Sequence, residues 1–362
     1  MKRSLRLITI SGIKISIHWT FLLLIAWIVA VDLGRGLNYQ QITMSILFVL
    51  ALFVCVVLHE LGHSFTAKAL GGDVRSITLL PIGGMANIKK MPDKPREEFL
   101  ITIAGLLVNV VIALILWFIL GGINPAQITK IDFTAVTTRN FFVLLMAVNI
   151  LLVVFNLIPA FPMDGGRLLR SVLSMKMNRV QATSIAKTVG KTLAVAFVIF
   201  GLFYNPFLIV IGIFVFLGAQ AEYEMIKYHE VLNNFSVGDL VNTDYQTLNA
   251  GDSLEKAANM LVHHSDHGFV IKSGNEFRGI LTKEDLIRGL TTRGNSAEIQ
   301  EIITSPAYVV EPKKPLNTVF EEMIKNKYEL VPVISKGNFE GVLDIENIKE
   351  LIMVRQAERQ FA

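Results

Sequence analysis

The first 226 residues alternate between long apolar stretches and short polar segments, a pattern that predicts about six membrane-spanning helices. Several stretches are shorter than the roughly 20 residues that a perpendicular span needs. Residues 227 to 362 contain no such stretches and have the composition of a soluble domain. The chain therefore divides into two modules near Tyr228. The predicted spans are Trp19–Leu33, Ile42–Leu61, Phe99–Leu120, Phe141–Ile158, Thr188–Tyr204 and Pro206–Met225.

Two shorter segments alternate between apolar and polar residues and predict short membrane-associated β-hairpins. The first covers residues 5 to 17 and turns at Ser11 and Gly12, and the second runs from Val74 to Ile88 through a Pro-Ile-Gly-Gly turn. The second hairpin has two interpretations. It is either a plain connection between helices or an exposed sheet edge onto which an extended peptide could pair.

The positively charged residues predict which side of the membrane each end of the chain occupies. Fifteen Lys and Arg residues fall on one side of the predicted spans, and three (Arg35, Lys130 and Arg139) fall on the other. Positive residues mark the cytoplasmic side, and an even number of spans returns the chain to the side where it began. The sequence thus predicts a multi-pass protein of the plasma membrane, with both termini and the C-terminal module in the cytoplasm.

Composition adds two further constraints. Only 18% of the residues are charged and 52% are hydrophobic, whereas about a quarter of a soluble protein is charged. The single cysteine, Cys55, excludes an internal disulfide, is expected to be a small buried residue, and suits a soluble part that faces the cytosol. The net charge of +4 is small, and we expect no nucleic-acid partner.

The segment Val57–His63, at the cytoplasmic end of the second predicted span, carries three ionisable side chains in an apolar region. His59 and His63 are four residues apart, so on a helix both imidazoles face the same side and can share one metal ion. Glu60 follows the first histidine directly and is free to act as a base. Ionisable residues are costly in lipid, which makes a functional interpretation the default.

A catalytic zinc site usually has three protein ligands, and Asp164 is the best candidate for the third. It lies in the stretch Asn156–Gly166, where two prolines and a glycine pair interrupt the end of the fourth span. Irregular backbone at that depth is tolerated only where it lines a polar cavity or is buried in protein. The alternative is that Asp164 is a plain cap of a helix over Gly165–Leu173.

Other charged residues near these segments have simpler interpretations. Glu97 and Glu98 open the third span, where the helix dipole favours carboxylates. Arg167 and Arg170 are expected to secure the helix that follows Asp164 at the lipid headgroups.

Three segments together resemble the motifs of the site-2 protease family, whose members are intramembrane zinc metalloproteases. They are His59–His63, Ala104–Asn109 and Asn156–Gly166, and they occur in the family's order on the corresponding spans. The resemblance covers residues 1 to about 226. Family members often have proline where this chain has Leu106 and Phe161, and because neither position is a ligand, these departures concern local shape and not chemistry.

The resemblance implies a zinc site and a reaction. It implies that His59, His63 and Asp164 bind one zinc ion per chain and that Glu60 is the general base. The implied substrate is a transmembrane or membrane-tethered protein in the lipid bilayer, cut at the cytosolic side, as in regulated intramembrane proteolysis.

Two amides within the spans receive an implied role from the same resemblance. Asn156 and Asn109 are candidates for holding the substrate backbone or stabilising the tetrahedral oxyanion. A hydrogen bond between helices is the alternative for each of them.

The C-terminal module contains an internal repeat at an offset of 62 residues, with copies at 236–292 and 300–355. Each copy reads as helix, apolar strand, turn, strand and helix, which predicts two packed α/β units. The copies resemble a tandem pair of cystathionine-β-synthase (CBS) domains, a module that often binds adenine nucleotides. This resemblance implies a regulatory role and allows a homodimer formed through the CBS domains.

The first copy retains the ribose-contacting pattern of CBS domains at Gly279, Thr282 and Asp285, and the second copy has Asp344 and Asn347 in place of the last two. An adenine nucleotide bound through Thr282 and Asp285 is therefore expected in the first copy and not in the second. The alternative is that Thr282 only caps the helix that begins after it.

The sequence thus predicts a polytopic α-helical membrane protein with a cytosolic α/β tandem CBS domain, acting as an intramembrane zinc endopeptidase with a nucleotide sensor. Two other interpretations compete with this one: a divalent-cation transporter and an inactive membrane scaffold, each with a regulatory CBS tail. Transporters place their ligands near the midplane between two similar halves, a pattern that this sequence does not have. Glu60 distinguishes the alternatives, because catalysis requires it and transport does not.

Overall fold

The computed structural model describes residues 4–81, 83–90, 94–122, 135–263, 268–274, 276–303 and 308–358. It consists of two compact units, Met1–Tyr223 and Glu224–Ala362.

Seven helices begin in the described part of the N-terminal unit. Four of them, α2, α3, α6 and α7, are long and apolar enough to cross a membrane. Helices α1 and α4 are apolar but have only 15 and 16 residues, fewer than a perpendicular span needs. Four helices able to cross a membrane are thus confirmed, and the count of six spans stays a prediction. The helices are α1 (Thr20–Gly34), α2 (Tyr39–Ala69), α3 (Pro95–Ile119), α4 (Phe141–Asn156), α5 (Asp164–Ser174), α6 (Arg179–Phe203) and α7 (Phe207–Leu232).

Helix α2 is longer than the apolar pattern predicts. It begins at a capping box. The Asn38 side chain accepts a hydrogen bond from the Gln41 backbone N–H, and the Gln41 side chain accepts one from the Asn38 backbone N–H. It continues past the predicted end at Leu61, because the polar residues that follow include Ser64, which is buried against protein and not exposed to lipid. The predicted metal motif therefore lies inside the helix.

Both predicted hairpins form, and they join into one four-stranded sheet. The strands are β1 (Ser4–Ile10), β2 (Ile13–His18), β3 (Asp73–Leu80) and β4 (Gly83–Lys90), in the order β1-β2-β3-β4. The hairpins are antiparallel, and parallel pairing of β2 with β3 connects them. This connection could not be predicted, because the strands it pairs are separated by helices α1 and α2.

One face of this sheet packs against the helices that carry the metal motif. Ile13 and Ile77 from the sheet share a buried cluster with Leu61 from α2 and Ile101 from α3. Burial of these side chains fixes the sheet beside the motif, with β4 as the strand at its edge.

The C-terminal unit contains the two predicted repeats. Each repeat buries its own apolar cluster, and the rings of Phe277 and Phe339 stack between them with centroids 4.3 Å apart. The predicted order of helix, strand, turn, strand and helix is confirmed in both copies. The elements are β5 (Thr247–Asn249), α8 (Leu254–His263), β6 (Gly268–Ser273), β7 (Glu276–Thr282), α9 (Lys283–Arg293), α10 (Leu316–Asn326), β8 (Leu330–Ser335), β9 (Asn338–Asp344) and α11 (Ile345–Glu358).

Candidate metal centre

The structure brings His59, His63 and Asp164 together in one buried cluster. The Nε2 atoms of the two histidines are 3.0 Å apart, and the Asp164 Oδ2 atom lies 3.2 Å from that of His59 and 3.1 Å from that of His63. The three donor atoms therefore form a nearly equilateral triangle. Its corners come from two turns of α2 and from the first residue of α5.

This triangle fits a tetrahedral zinc site. Ligands about 2.0–2.1 Å from a shared tetrahedral ion are about 3.3 Å from one another, close to the separations found here. The Nδ1 atom of His63 lies 2.7 Å from the Ile101 carbonyl oxygen, so Nδ1–H donates and Nε2 keeps its lone pair. A lone pair that faces a carboxylate oxygen at 3.1 Å is repulsive unless a cation or a proton lies between them. The donor set therefore suits a bound cation.

The backbone before α5 determines where Asp164 points. Residues 157–163 are irregular, as the proline and glycine pattern predicts, and Met163 occupies the N-cap position without a side-chain cap. A Cβ on Gly165 would lie 2.2 Å from the Ile158 carbonyl oxygen, so only glycine allows the helix to begin this close to the preceding loop. The alternative interpretation of Asp164 as the cap residue is wrong, because its carboxylate is directed at the histidines.

Helix α3 forms the wall behind the second histidine. A Cβ on Gly105 would lie 2.2 Å from the His63 Nε2 atom and 2.3 Å from Cε1, so the imidazole packs directly on the helix backbone. The glycine of the Ala104–Asn109 motif therefore provides the space for a metal-facing side chain.

Glu60 lies beside this cluster and is half-buried. It interacts electrostatically with all three residues of the donor triangle. A Cβ on Gly84 would lie 2.6 Å from the Glu60 Cγ atom, so the first residues of β4 press against this side chain. The candidate base is thus held between the donor triangle and the edge of the sheet.

The two candidate amides have different environments. Asn109 is buried on α3, one turn after Gly105, and its Oδ1 atom has no hydrogen-bond partner among the described residues. The Asn156 amide donates to the Leu152 carbonyl oxygen of its own helix, at 3.0 Å. Neither observation assigns a role, and the oxyanion function stays a prediction for both.

Sequence reasoning missed a buried ion cluster next to the metal centre. Arg170 does not lie at the lipid headgroups: only 2% of it is exposed, and it forms salt bridges with Glu98 and Glu222. Glu98 is equally buried and also pairs with Arg179, so its role is not limited to a favourable position in the helix dipole. The shortness of the helix after Asp164 was the available signal. A helix of 11 residues that lies between buried elements directs some of its side chains inward, so one of its arginines could have been expected to be buried.

In the C-terminal unit, Thr282 and Asp285 lie together at the start of α9. The Thr282 hydroxyl donates to the Asp285 carboxylate at 2.8 Å and accepts from the Asp285 backbone N–H at 3.1 Å. Thr282 is therefore a helix N-cap, as the alternative interpretation proposed. Asp285 also forms a salt bridge with Arg288. In the second copy, the Asp344 carboxylate accepts from the Glu346 backbone N–H.

Comparison with known proteins extends these observations to the whole chain. The family model of peptidase family M50 matches residues 47–131 and 121–201, and the CBS domain model matches residues 237–292 and 299–354. A zinc metalloprotease of Methanocaldococcus jannaschii is 31% identical over 351 residues, which cover 97% of this chain and 99% of that protein. Stage IV sporulation protein FB of Bacillus subtilis is 30% identical over 129 residues, which cover 35% of this chain and 41% of that protein.

Among solved structures, the site-2 protease from Methanocaldococcus jannaschii is 38% identical to this chain. The match covers 61% of this chain and 95% of the solved one, with a TM-score of 0.44. The full-length sequence match carries the assignment: the chain belongs to peptidase family M50, the site-2 proteases, and is a zinc metalloprotease with a C-terminal pair of CBS domains.

Proposed function

We propose that the chain is an intramembrane zinc endopeptidase that hydrolyses peptide bonds within or beside the transmembrane segments of other proteins. In this proposal residues 1–226 form the protease domain and residues 227–362 form the regulatory CBS domain. His59, His63 and Asp164 hold one zinc ion, and Glu60 is the general base. The observation that carries the proposal is the buried triangle of two imidazole nitrogens and one carboxylate oxygen with Glu60 beside it.

The chemistry follows from this donor set. Zinc, when bound, supplies a Lewis acid that polarises the scissile carbonyl and acidifies water. Glu60 takes the proton of the attacking water and passes it to the leaving nitrogen. Asn109 and Asn156 are the amides proposed to hold the substrate backbone or to donate to the developing oxyanion.

The test compares Glu60→Gln with wild type by zinc content and by cleavage of a membrane-helix substrate. We expect the variant to keep about one zinc per chain and to lose cleavage, because an amide cannot accept the proton. Glu97→Gln is the matched control: Glu97 opens α3, forms an ion pair with Lys94 at 3.1 Å, and lies outside the donor triangle. This control is expected to keep both zinc and cleavage.

Three results would contradict the proposal. Cleavage at the wild-type rate by Glu60→Gln would remove Glu60 from the chemistry. If His59→Ala leaves the zinc content unchanged, zinc does not bind at His59. Zinc flux through liposomes containing the wild-type protein, without cleavage, would establish the transporter.

We propose that the substrate pairs as an extended strand with β4. This strand is at the edge of the described sheet, and its Gly84 lies against Glu60. Peptide bonds in a helix are hydrogen-bonded and occluded, so a substrate helix must unwind before water can attack. New hydrogen bonds to β4 would compensate for those lost on unwinding.

Proline on β4 tests the strand pairing. Met85→Pro removes a backbone donor beside the site, and at about 1 kcal/mol for each of one or two hydrogen bonds we expect cleavage to fall roughly 5- to 30-fold with zinc retained. Leu5→Pro on β1, the opposite edge, is the matched control and is expected to cleave normally. Ile77 is a poorer position because β3 is paired on both sides. Equal cleavage by Met85→Pro and Leu5→Pro would refute the pairing.

We propose that the first CBS copy binds an adenine nucleotide through Thr282 and Asp285, and that the tandem domain also supports a homodimer. Their carboxylate and hydroxyl lie 2.8 Å apart, a separation that suits the two hydroxyls of a ribose. Asp285→Ala should abolish ATP or AMP binding measured by calorimetry, and Asn347→Ala, at the equivalent position of the second copy, should not. Equal binding by both variants would exclude the site.

The proposed location is the plasma membrane, with both termini and the CBS domain in the cytoplasm. The support is the excess of Lys and Arg on one side of the apolar helices. Protease digestion of right-side-out vesicles is expected to leave the CBS domain intact, and its removal under those conditions would reverse the orientation.

A further inference from the structure

A buried ion pair, Arg170 with Glu98, adjoins the candidate metal centre, and the partly exposed Glu222 and Arg179 each pair with one of its members. The Arg170 Nε–H donates to the Glu98 Oε1 atom at 2.8 Å, and its Nη1–H donates to the Glu222 Oε1 atom at 2.6 Å. The Nη2 atom of Arg179 lies 3.6 Å from the other Glu98 oxygen. Arg170 and Glu98 are each only 2% exposed, so loss of either one leaves an uncompensated charge in a buried place.

This cluster is connected to two of the metal-facing residues. Arg170 lies on α5, six residues after Asp164, and its guanidinium lies 5.1 Å from the ring centroid of Phe161 in the loop before Asp164. Glu98 lies on α3 three residues before Ile101, whose carbonyl oxygen accepts the His63 Nδ1–H. A single turn of α3 therefore fixes both His63 and, through Arg170, the helix that begins at Asp164.

The Asp164 carboxylate must be positioned to within a fraction of an ångström to bind zinc, and a small rotation of α5 would displace it further than that. Side chains extend about 5 Å from a helix axis, so a rotation of α5 by about 10° moves the Asp164 carboxylate by roughly 1 Å. Zinc–ligand distances vary by only about 0.2 Å between functional sites. The first turn of α5 packs closely on the preceding loop through Gly165 and Gly166. One turn further along, the Arg170–Glu98 pair adds a directional contact that also resists rotation of the helix.

We infer that Arg170 and Glu98 are positioning residues for the metal centre, holding Asp164 against His63 across the α3–α5 contact. The inference rests on the proposed zinc site. Glu222, on α7, is a secondary member, because it receives one bond from Arg170 where Glu98 receives two and its side chain is 21% exposed.

The experiment measures zinc affinity by competition with a chelator, using the full chain in detergent. Arg170→Lys keeps the charge and loses the planar fork, and Glu98→Gln keeps the shape and loses the charge. Each is expected to weaken zinc binding about 10- to 100-fold, the range for residues that orient metal ligands. The visible absorption of the cobalt-substituted protein should change in both variants, because the ligand geometry changes. Glu222→Gln should have a smaller effect.

Leu116→Ala separates positioning from general loss of stability. Leu116 is buried on α3, and at 1.5 Å per residue it lies about 27 Å along the helix from Glu98. The variant is expected to unfold at a lower temperature and to bind zinc with wild-type affinity.

Wild-type zinc affinity and an unchanged cobalt spectrum in Arg170→Lys and Glu98→Gln would overturn the inference. An equal loss of affinity in Leu116→Ala would also overturn it. If one of the two substitutions prevents folding, the other decides the result. Failure of the wild-type protein itself to bind zinc through His59 would instead refute the proposed function.

Discussion

The contact between Gly105 and His63 makes a sharp prediction about the metal centre. In Gly105→Ala the new methyl group would lie 2.2 Å from the His63 Nε2 atom, whereas ordinary contact begins at 3.4 Å. The imidazole would have to withdraw by about 1 Å, several times the tolerance of about 0.2 Å in a zinc site. Its donor atom is the atom displaced, so we expect zinc affinity to fall at least about 100-fold, or about 2.8 kcal/mol.

The assay is chelator competition on protein purified in detergent, followed by cleavage of a membrane-helix substrate. Gly34→Ala is the matched control, because it makes the same substitution in α1 at a position with no heavy atom within 4 Å. Thermal unfolding of both variants establishes that they fold. If Gly105→Ala binds one zinc per chain with wild-type affinity, His63 is not a ligand in the way that the structure indicates, and the reasoning is refuted.

Three further substitutions test other contacts. Gly84→Val should abolish cleavage while zinc binding persists. The new Cβ would lie 2.6 Å from the Glu60 Cγ atom and would displace this side chain without contacting any of the three metal-binding atoms. Unchanged cleavage would contradict the contact. Thr282→Val removes the N-cap of α9 and should lower the free energy of unfolding of the C-terminal unit by about 1 kcal/mol, measured by calorimetry. An unchanged unfolding temperature would exclude the cap. Hydrogen bonds from the Ser236 backbone N–H and hydroxyl lower the pKa of Asp239 below its usual 3.8. This stabilisation is present above pH 4 and lost in acid, so Asp239→Ala should lower the unfolding temperature at pH 7 and have less effect near pH 2; a difference independent of pH would contradict it.

Much of the fold could be predicted because the relevant signals are local. The alternation around Ser11 and Gly12 predicted the first hairpin, and the apolar stretches predicted where the four long helices lie. Three of these helices extend seven to nine residues beyond the apolar stretch at one end, because their polar ends do not contribute to the hydropathy pattern. The repeat offset produced both copies of the C-terminal unit, since each copy buries its own apolar cluster. Two histidines four residues apart share one face of any helix, so two of the three donors of the triangle were determined before any tertiary contact.

The remaining features depend on contacts between distant segments. The parallel pairing of β2 with β3 joins hairpins about 60 residues apart, and no local pattern specifies it. Arg170 was misplaced for a related reason. Positive residues near the cytoplasmic side of a membrane protein usually face lipid headgroups. The carboxylates that pair with Arg170 inside the protein are those of Glu98 on α3 and Glu222 on α7, which are 72 and 52 residues away in the sequence.

A single stripe of α3 accounts for the arrangement of the whole centre. Glu98, Thr102, Gly105 and Asn109 follow at intervals of four, three and four residues, which places them within about 60° of one another around the helix. All four are buried, whereas other positions such as Leu107 are exposed. Along the axis, Glu98 contacts α5, Gly105 supports His63 about 10 Å further on, and Asn109 lies one turn beyond. The helix thus places a buried ion pair, the glycine that makes room for His63 and the candidate amide along one face. This arrangement gives a structural reason why the Ala104–Asn109 motif, which contains no metal ligand, accompanies the two histidines.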